Sequence, residues 1–230
     1  MNRKSILKKA LKDSFPVLTG YIVLGIGFGI IMKTKGYGAL WTLAMCTVIY
    51  AGSMQFLALE LITGGASLLT VAMTTLMVNA RHVFYGISMV DKYNDTGKMK
   101  PFLIYSLTDE TYSLVCSEND FSREERNFYY LAVSVLDEIY WAGSCVLGSL
   151  LGTFITFNTE GMDFALTALF VTVFVDQWLD SKDHNPAIAG LGISLACLLI
   201  FGKDTFLIPT MLLITLSLTL MRKKKGAESA

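Results

Sequence analysis

Charge is the first thing this sequence is short of. Only 17% of its 230 residues are Asp, Glu, Lys or Arg, 53% are hydrophobic, and the mean hydropathy is +0.52. So few charged groups cannot cover a water-exposed surface of ordinary domain size, which excludes a soluble enzyme domain. Long polar segments are missing too: the two longest, Asp91–Lys100 and Glu118–Arg126, are of loop length. The four cysteines, Cys46, Cys116, Cys145 and Cys197, stand singly inside apolar runs. They offer neither a disulfide framework nor a Cys/His metal-ligand spacing. No phosphate loop of the form Gly-x-x-x-x-Gly-Lys-Ser/Thr occurs, and no Gly-x-Ser-x-Gly or hydrolase-like aspartate motif argues for an intramembrane enzyme. The expectation is a protein that is not an enzyme and holds no cofactor or metal.

What is there is a series of apolar runs. Ser14–Met32, Gly36–Leu59, Leu61–Ala80, Ile139–Thr159, His184–Gly202 and Thr205–Met221 contain no Asp, Glu, Lys or Arg. Each is close to the roughly 20 residues a helix needs to cross a hydrocarbon core about 30 Å thick. The reading is an all-α, polytopic integral membrane protein: a single transport domain over 1–230 with about eight transmembrane helices. They are placed near 15–33, 38–59, 64–90, 100–117, 127–157, 163–180, 185–202 and 204–221. The first run lacks a small-residue cleavage site and is read as a retained span. Positive and negative residues balance at 19 each, yet Arg3, Lys4, Lys8, Lys9 and Lys12 precede the first span and Arg222–Lys225 follow the last. Both termini are therefore expected on the cytoplasmic side, the basic clusters being topology anchors and not nucleic-acid patches. Lys92, Lys98 and Lys100 fall on the outer side against that rule, and a re-entrant pair within 38–80 would relieve the conflict.

The two halves, 14–117 and 127–221, share a faint pattern. Gly20-x-x-Val23-Leu24-Gly25-x-x-x-Gly29 matches Gly143-x-x-Val146-Leu147-Gly148-x-x-x-Gly152, and Gln55-Phe56-Leu57 meets Gln177-Trp178-Leu179. Both glycine series make small-xxx-small faces that let helices approach closely. Repeated halves are frequent in secondary transporters, where the substrate site lies at their interface.

Ionisable and polar groups inside such spans are costly and so mark function by default. Asn79-Ala80-Arg81-His82 ends one uncharged run; on a continuous helix Thr75, Asn79 and His82 share a face, with Arg81 beside Met77 and Tyr85. Arg81 suits two-pronged contact with a carboxylate, an internal acidic partner or a lipid headgroup. Thr108-Asp109-Glu110-Thr111 lies between the apolar runs Pro101–Leu107 and Tyr112–Ser117, where an unpaired charge is not tolerated. One carboxyl either takes up a proton during a transport cycle or neutralises Arg81, and adjacent residues point about 100° apart, so only one faces the substrate path. Asp137-Glu138 sits in a long helix with the stripe Asp137, Trp141, Ser144, Gly148, and is read as structural or interfacial. Finally, Tyr50-Ala51-Gly52-Ser53-Met54-Gln55-Phe56 and Val175-Asp176-Gln177-Trp178 suggest broken helices, whose free N–H groups can receive an anionic substrate. Gly64-Gly65 offers another break. The substrate candidates are Gly52, Ser53, Gln55, Asn79 and Gln177; the coupling candidates are Arg81, His82, Asp109, Glu110 and Asp176.

The order Tyr50-Ala51-Gly52-Ser53-Met54-Gln55-Phe56, Gly64-Gly65-Ala66-Ser67, Asn79-Ala80-Arg81-His82-x-x-Tyr85-Gly86 and Leu107-Thr108-Asp109-Glu110-Thr111 resembles the AzlC family, the large subunit of bacterial branched-chain amino acid exporters. Asp176-Gln177-Trp178 and Phe206-Leu207-Ile208-Pro209 extend the likeness over nearly the whole chain. Met54 and Ala80 fall where variation is expected. The resemblance implies export of leucine, isoleucine, valine and related hydrophobic amino acids across the cytoplasmic membrane, together with a small AzlD-type membrane subunit. The residues alone leave carrier, channel and membrane scaffold for another small solute open.

Overall fold

The computed structural model describes residues 2–116, 121–154, 171, 174–175, 178–179, 181, 183–202 and 206–228. Among them the regular structure is entirely helical, in two compact units, Met1–Leu166 and Thr167–Ala230.

The first unit opens with α1 (Arg3–Asp13). Ile6 and Ala10, four residues apart, bury one stripe while Lys4, Lys8 and Lys12 face outward, the pattern of a helix lying at an interface. Ser14 separates it from α2 (Phe15–Thr34), which starts with Pro16 in its first turn. Then come α3 (Ala39–Val48), α4 (Gly52–Thr63), α5 (Leu68–Val78), α6 (Ala80–Asn94), a short 3₁₀ turn at Gly97–Met99, α7 (Lys100–Tyr105), α8 (Asp109–Val115) and α9 (Arg123–Leu151). The last of these begins with a capping box, Ser122 N–H donating to Glu125 Oε2 at 2.9 Å.

α2 and α9 form the spine, and they are the two described helices long and apolar enough to cross a membrane. A Cβ added at Gly29 would collide with the Cys145 carbonyl and the Ser149 amide, and one added at Gly148 would strike the Ile26 carbonyl. At Gly25 it would lie 2.7 Å from Ser144 Cβ. The two matched glycine series therefore meet each other, bringing backbones within a distance no side chain permits. The stripe Asp137, Trp141, Ser144, Gly148 is buried along this contact, as its spacing predicts. Outside, the surface is apolar: Leu40, Trp41, Leu68, Leu69 and Leu76 are all exposed. The interior holds Thr42, Gln55, Ser106, Thr108, Thr111, Ser134 and Asp137 fully or nearly buried. An apolar outer surface over a mixed interior of apolar and polar side chains suits a lipid solvent.

Three expected spans are not single helices. Segment 38–59 is interrupted at Ile49–Ala51, 64–90 at Asn79, and 100–117 at Ser106–Thr108. The first break comes just before Gly52-Ser53, and those two residues open α4 instead of interrupting it. Gln55 braces the break: its amide nitrogen donates to the carbonyls of Met45 (3.2 Å) and Ile49 (2.7 Å), each of which also accepts a backbone N–H, and so ties the end of α3 to the following helix. α4 ends ahead of the Gly64-Gly65 pair, where Gly65 takes φ +65, a left-handed conformation that favours glycine. With 10 and 12 residues, α3 and α4 are each too short to cross the bilayer alone.

The second unit contains α10 (Asn185–Phe201) and α11 (Leu207–Glu228), which pack on one another, and Trp178 stacks on His184 at 4.1 Å between ring centroids. Expected span 163–180 lies largely outside the described residues, as do Asp176 and Gln177.

Candidate functional site

The site is built around the break between α3 and α4. The first helical bond of α4 runs from Gln55 N–H to the Ala51 carbonyl (2.9 Å), so the amides of Gly52, Ser53 and Met54 precede its ladder. Gly52 lies against the Trp141 ring, where a Cβ would come within 3.2 Å of the indole. Gln55 is fully buried and wholly engaged: beyond its two bonds to α3, its Oε1 accepts from Trp141 Nε1 at 2.7 Å. Trp141 is held edge-on by Tyr21 at 5.1 Å and stacked by Phe28 at 6.4 Å. Aromatic packing from α2 thus fixes the indole on α9, the indole fixes the amide, and the amide braces the break.

Three charged or polar groups converge on the open start of α4. Arg81, in the first turn of α6, donates from Nη2 to Ser53 Oγ at 3.0 Å and pairs through Nη1 with Asp109 Oδ2 at 2.5 Å. Both members of that pair are 36% exposed, so the contact is accessible and its strength is reduced by surrounding solvent or headgroups. Arg81 Nε has no partner. Asn79 forms the joint between α5 and α6; its side-chain oxygen is buried without a partner, and its carbonyl accepts from His82 N–H at 2.9 Å. His82 borders an apolar recess of about 440 Å³ lined among others by Val83, Gly86, Ile104, Tyr105 and Leu107. The helix break at Asn79 places Arg81 and His82 at a helix start instead of mid-span.

Asp109 and Glu110 diverge, as their 100° offset requires. Asp109 goes to Arg81, whereas Glu110 Oε2 accepts from Tyr21 at 2.9 Å. Both sit in the first turn of α8, capped by Thr108 Oγ1, which accepts from Thr111 N–H at 3.3 Å; negative charge is favoured there. From this cap a second line of contacts runs inward. Tyr21 Oη is 3.2 Å from Thr108 Oγ1, Thr108 donates to Thr111 Oγ1 at 3.2 Å, and Thr111 donates to Asp137 Oδ2 at 2.8 Å. Asp137 is completely buried, and its Oδ1 has no hydrogen-bond partner. The structure therefore brings Gly52, Ser53, Gln55, Arg81, Asp109 and Glu110 into one neighbourhood and adds Tyr21, Thr108, Thr111, Asp137 and Trp141. The signal for the additions was present in part: Thr108 and Thr111 flank the acidic pair at capping distance, and Asp137 and Trp141 share a helix face.

Long apolar helices, an apolar outer surface and broken helices with charged groups at their ends are the features of a helical membrane protein. The family model described as AzlC protein matches residues 16–155, and the chain belongs to the AzlC family. The branched-chain amino acid transport protein AzlC of Bacillus subtilis is 40% identical over 227 residues, covering 97% of this chain and 89% of that protein. A membrane protein of Haemophilus influenzae is 42% identical over 214 residues, covering 93% and 88%. The inner membrane protein YgaZ of Escherichia coli is 25% identical over 207 residues, covering 88% and 83%. No solved structure matches the chain.

Proposed function

We propose that this chain is the large subunit of an exporter for leucine, isoleucine, valine and related hydrophobic amino acids in a bacterial cytoplasmic membrane. It works with a small AzlD-type subunit, has both termini on the cytoplasmic side, and is driven by proton exchange. The observation that carries the reading is the meeting of the α4 start with Ser53, Arg81 and Asp109 at a break between helices. An amino acid is a zwitterion: its carboxylate needs donors and its ammonium needs an acceptor, while an aliphatic side chain needs an apolar recess. Arg81, the Ser53 hydroxyl and the leading amides of α4 supply donors. Asp109 supplies the acceptor once substrate takes its place on Arg81, so the resting ion pair is the arrangement that substrate exchanges with. The recess beginning at His82 suits the side chain. Gln55 acts behind the site, holding the break open. The transport name carried by the Bacillus subtilis relative supports the substrate class. Amino-acid efflux from cells loaded with a leucine-containing dipeptide, with and without this chain and its small partner, tests it. Faster, saturable efflux is expected; efflux equal to that of cells lacking the chain removes the reading.

A further inference from the structure

A count of hydrogens around the start of α8 leads beyond the substrate site. Five oxygens stand in series: Glu110 Oε2, Tyr21 Oη, Thr108 Oγ1, Thr111 Oγ1 and Asp137 Oδ2, with separations of 2.9, 3.2, 3.2 and 2.8 Å. The four gaps need four hydrogens, and one tyrosine with two threonines supplies only three. With both carboxyl groups ionised, one gap has oxygen lone pairs facing each other. A single added proton closes the series from either end. On Glu110, every hydroxyl donates toward Asp137; on Asp137, every hydroxyl donates toward Glu110.

The electrostatic setting agrees with one added proton. Asp137 is completely buried, one of its oxygens is unpartnered, and among the described residues no Lys, Arg or His forms an ion pair with it. The titratable groups around it are Glu110 from α8, Tyr21 from α2, Tyr50 from the connection between α3 and α4, and Tyr129 with the neighbouring Glu138 on α9 itself. All of them are acids. Two ionised carboxylates at the two ends of one such series are mutually unfavourable, and a shared proton removes the second charge. Glu110 is only half-buried, so it forms the outer end and Asp137 the inner one.

We propose that Glu110 and Asp137 hold one proton between them and pass it along Thr111, Thr108 and Tyr21, and that this is the proton exchanged for amino acid. The coupling part rests on the exporter reading above. In one passage the O–H bond at Asp137 breaks as Thr111 takes that proton and gives its own to Thr108. Thr108 gives its own to Tyr21, and Tyr21 protonates Glu110. Asp137 ends ionised and Glu110 neutral, with no change in total charge. Reversal needs only the opposite sequence of transfers.

The proton count is tested by infrared spectroscopy of the purified full chain at neutral pH. One protonated-carboxyl stretch, shifted in heavy water, is expected. It should vanish in Glu110→Gln and also in Asp137→Asn, because an amide hydrogen fills the fourth gap and leaves the remaining carboxyl ionised. Absence of the band from wild type, or its survival in either single variant, overturns a shared proton. The path is tested by Thr111→Val, which keeps the shape and removes the middle hydroxyl. In vesicles it should cut pH-gradient-driven uptake roughly tenfold or more while leaving amino-acid counterflow intact, with Thr111→Ser restoring the loss. Undiminished gradient-driven uptake in Thr111→Val overturns the path. Should wild type move no hydrophobic amino acid at all, the exporter reading fails, and the infrared count still decides the shared proton.

Discussion

Replacing Gln55 by leucine separates a residue that touches substrate from one that holds the site. The side chain makes three buried bonds, to the Met45 and Ile49 carbonyls and from the Trp141 indole. Leucine has similar volume but leaves the Trp141 indole N–H without a partner, while the Met45 and Ile49 carbonyls keep only the backbone N–H groups of Ile49 and Ala51. Side-chain hydrogen bonds inside membrane proteins are worth about 0.6 kcal/mol on average and up to about 1.7. Three of them, with the cost of one unsatisfied buried indole N–H added, give a loss of about 2–4 kcal/mol. Unfolding by SDS in mixed micelles, followed by loss of helicity, should show that drop. Substrate counterflow should slow in parallel, because the end of α3 is no longer tied to α4 and the start of α4 is no longer fixed to Trp141. Trp141→Phe removes a single one of the three bonds and should cost about 1 kcal/mol. Combined with Gln55→Leu it should cost less than the sum, since both changes remove the same contact. A Gln55→Leu protein with wild-type unfolding and abolished transport would refute the argument and put the amide on the substrate.

At the spine, Gly148→Leu should abolish folded protein in the membrane, because its side chain would occupy the place of the Ile26 backbone. Gly143→Ala, where a Cβ meets nothing within 4 Å, should be silent in the same abundance assay. Arg81→Gln and Asp109→Asn should each raise the KM for efflux while leaving membrane abundance near wild type, because a pair open to solvent or headgroups contributes little to folding; a marked loss of abundance in either variant would contradict this. Cysteines introduced by Asn2→Cys and Glu228→Cys should resist an impermeant reagent added outside intact cells, and labelling of either would place that terminus on the outer side.

Hydropathy found α2 and α9 because nothing interrupts their hydrogen-bond ladders. It joined α3 to α4 and α5 to α6 because an average over side chains is blind to where backbone carbonyls find partners. The amide that braces the end of α3 belongs to the next helix, and only the packing of Trp141 explains why it points there. Arg81 and Asp109 were legible as candidates, with ion pairing and proton uptake both open, since the sequence gives no distance between them. Asp137 reads from the sequence as structural or interfacial, because it lies only two to three turns past the polar segment Glu118–Arg126. Its burial depends on which helices cover that turn of α9, and the partners Thr111 and Tyr21 come from distant parts of the chain.

The close fit of Gly25 and Gly29 against Cys145, Gly148 and Ser149 also sets a schedule for biosynthesis. α2 enters the bilayer early, but the surface it fits is not made until synthesis has passed Arg123. At ~5–20 residues per second, the interval between completion of α2 and the emergence of α9 is of the order of 5–20 s. Throughout it, α2 stands in lipid with a bare glycine face turned to whatever helix is nearby. The nascent chain must therefore be kept from pairing that face with its own α3 and α4, or with another protein's helices, until the matching glycines arrive.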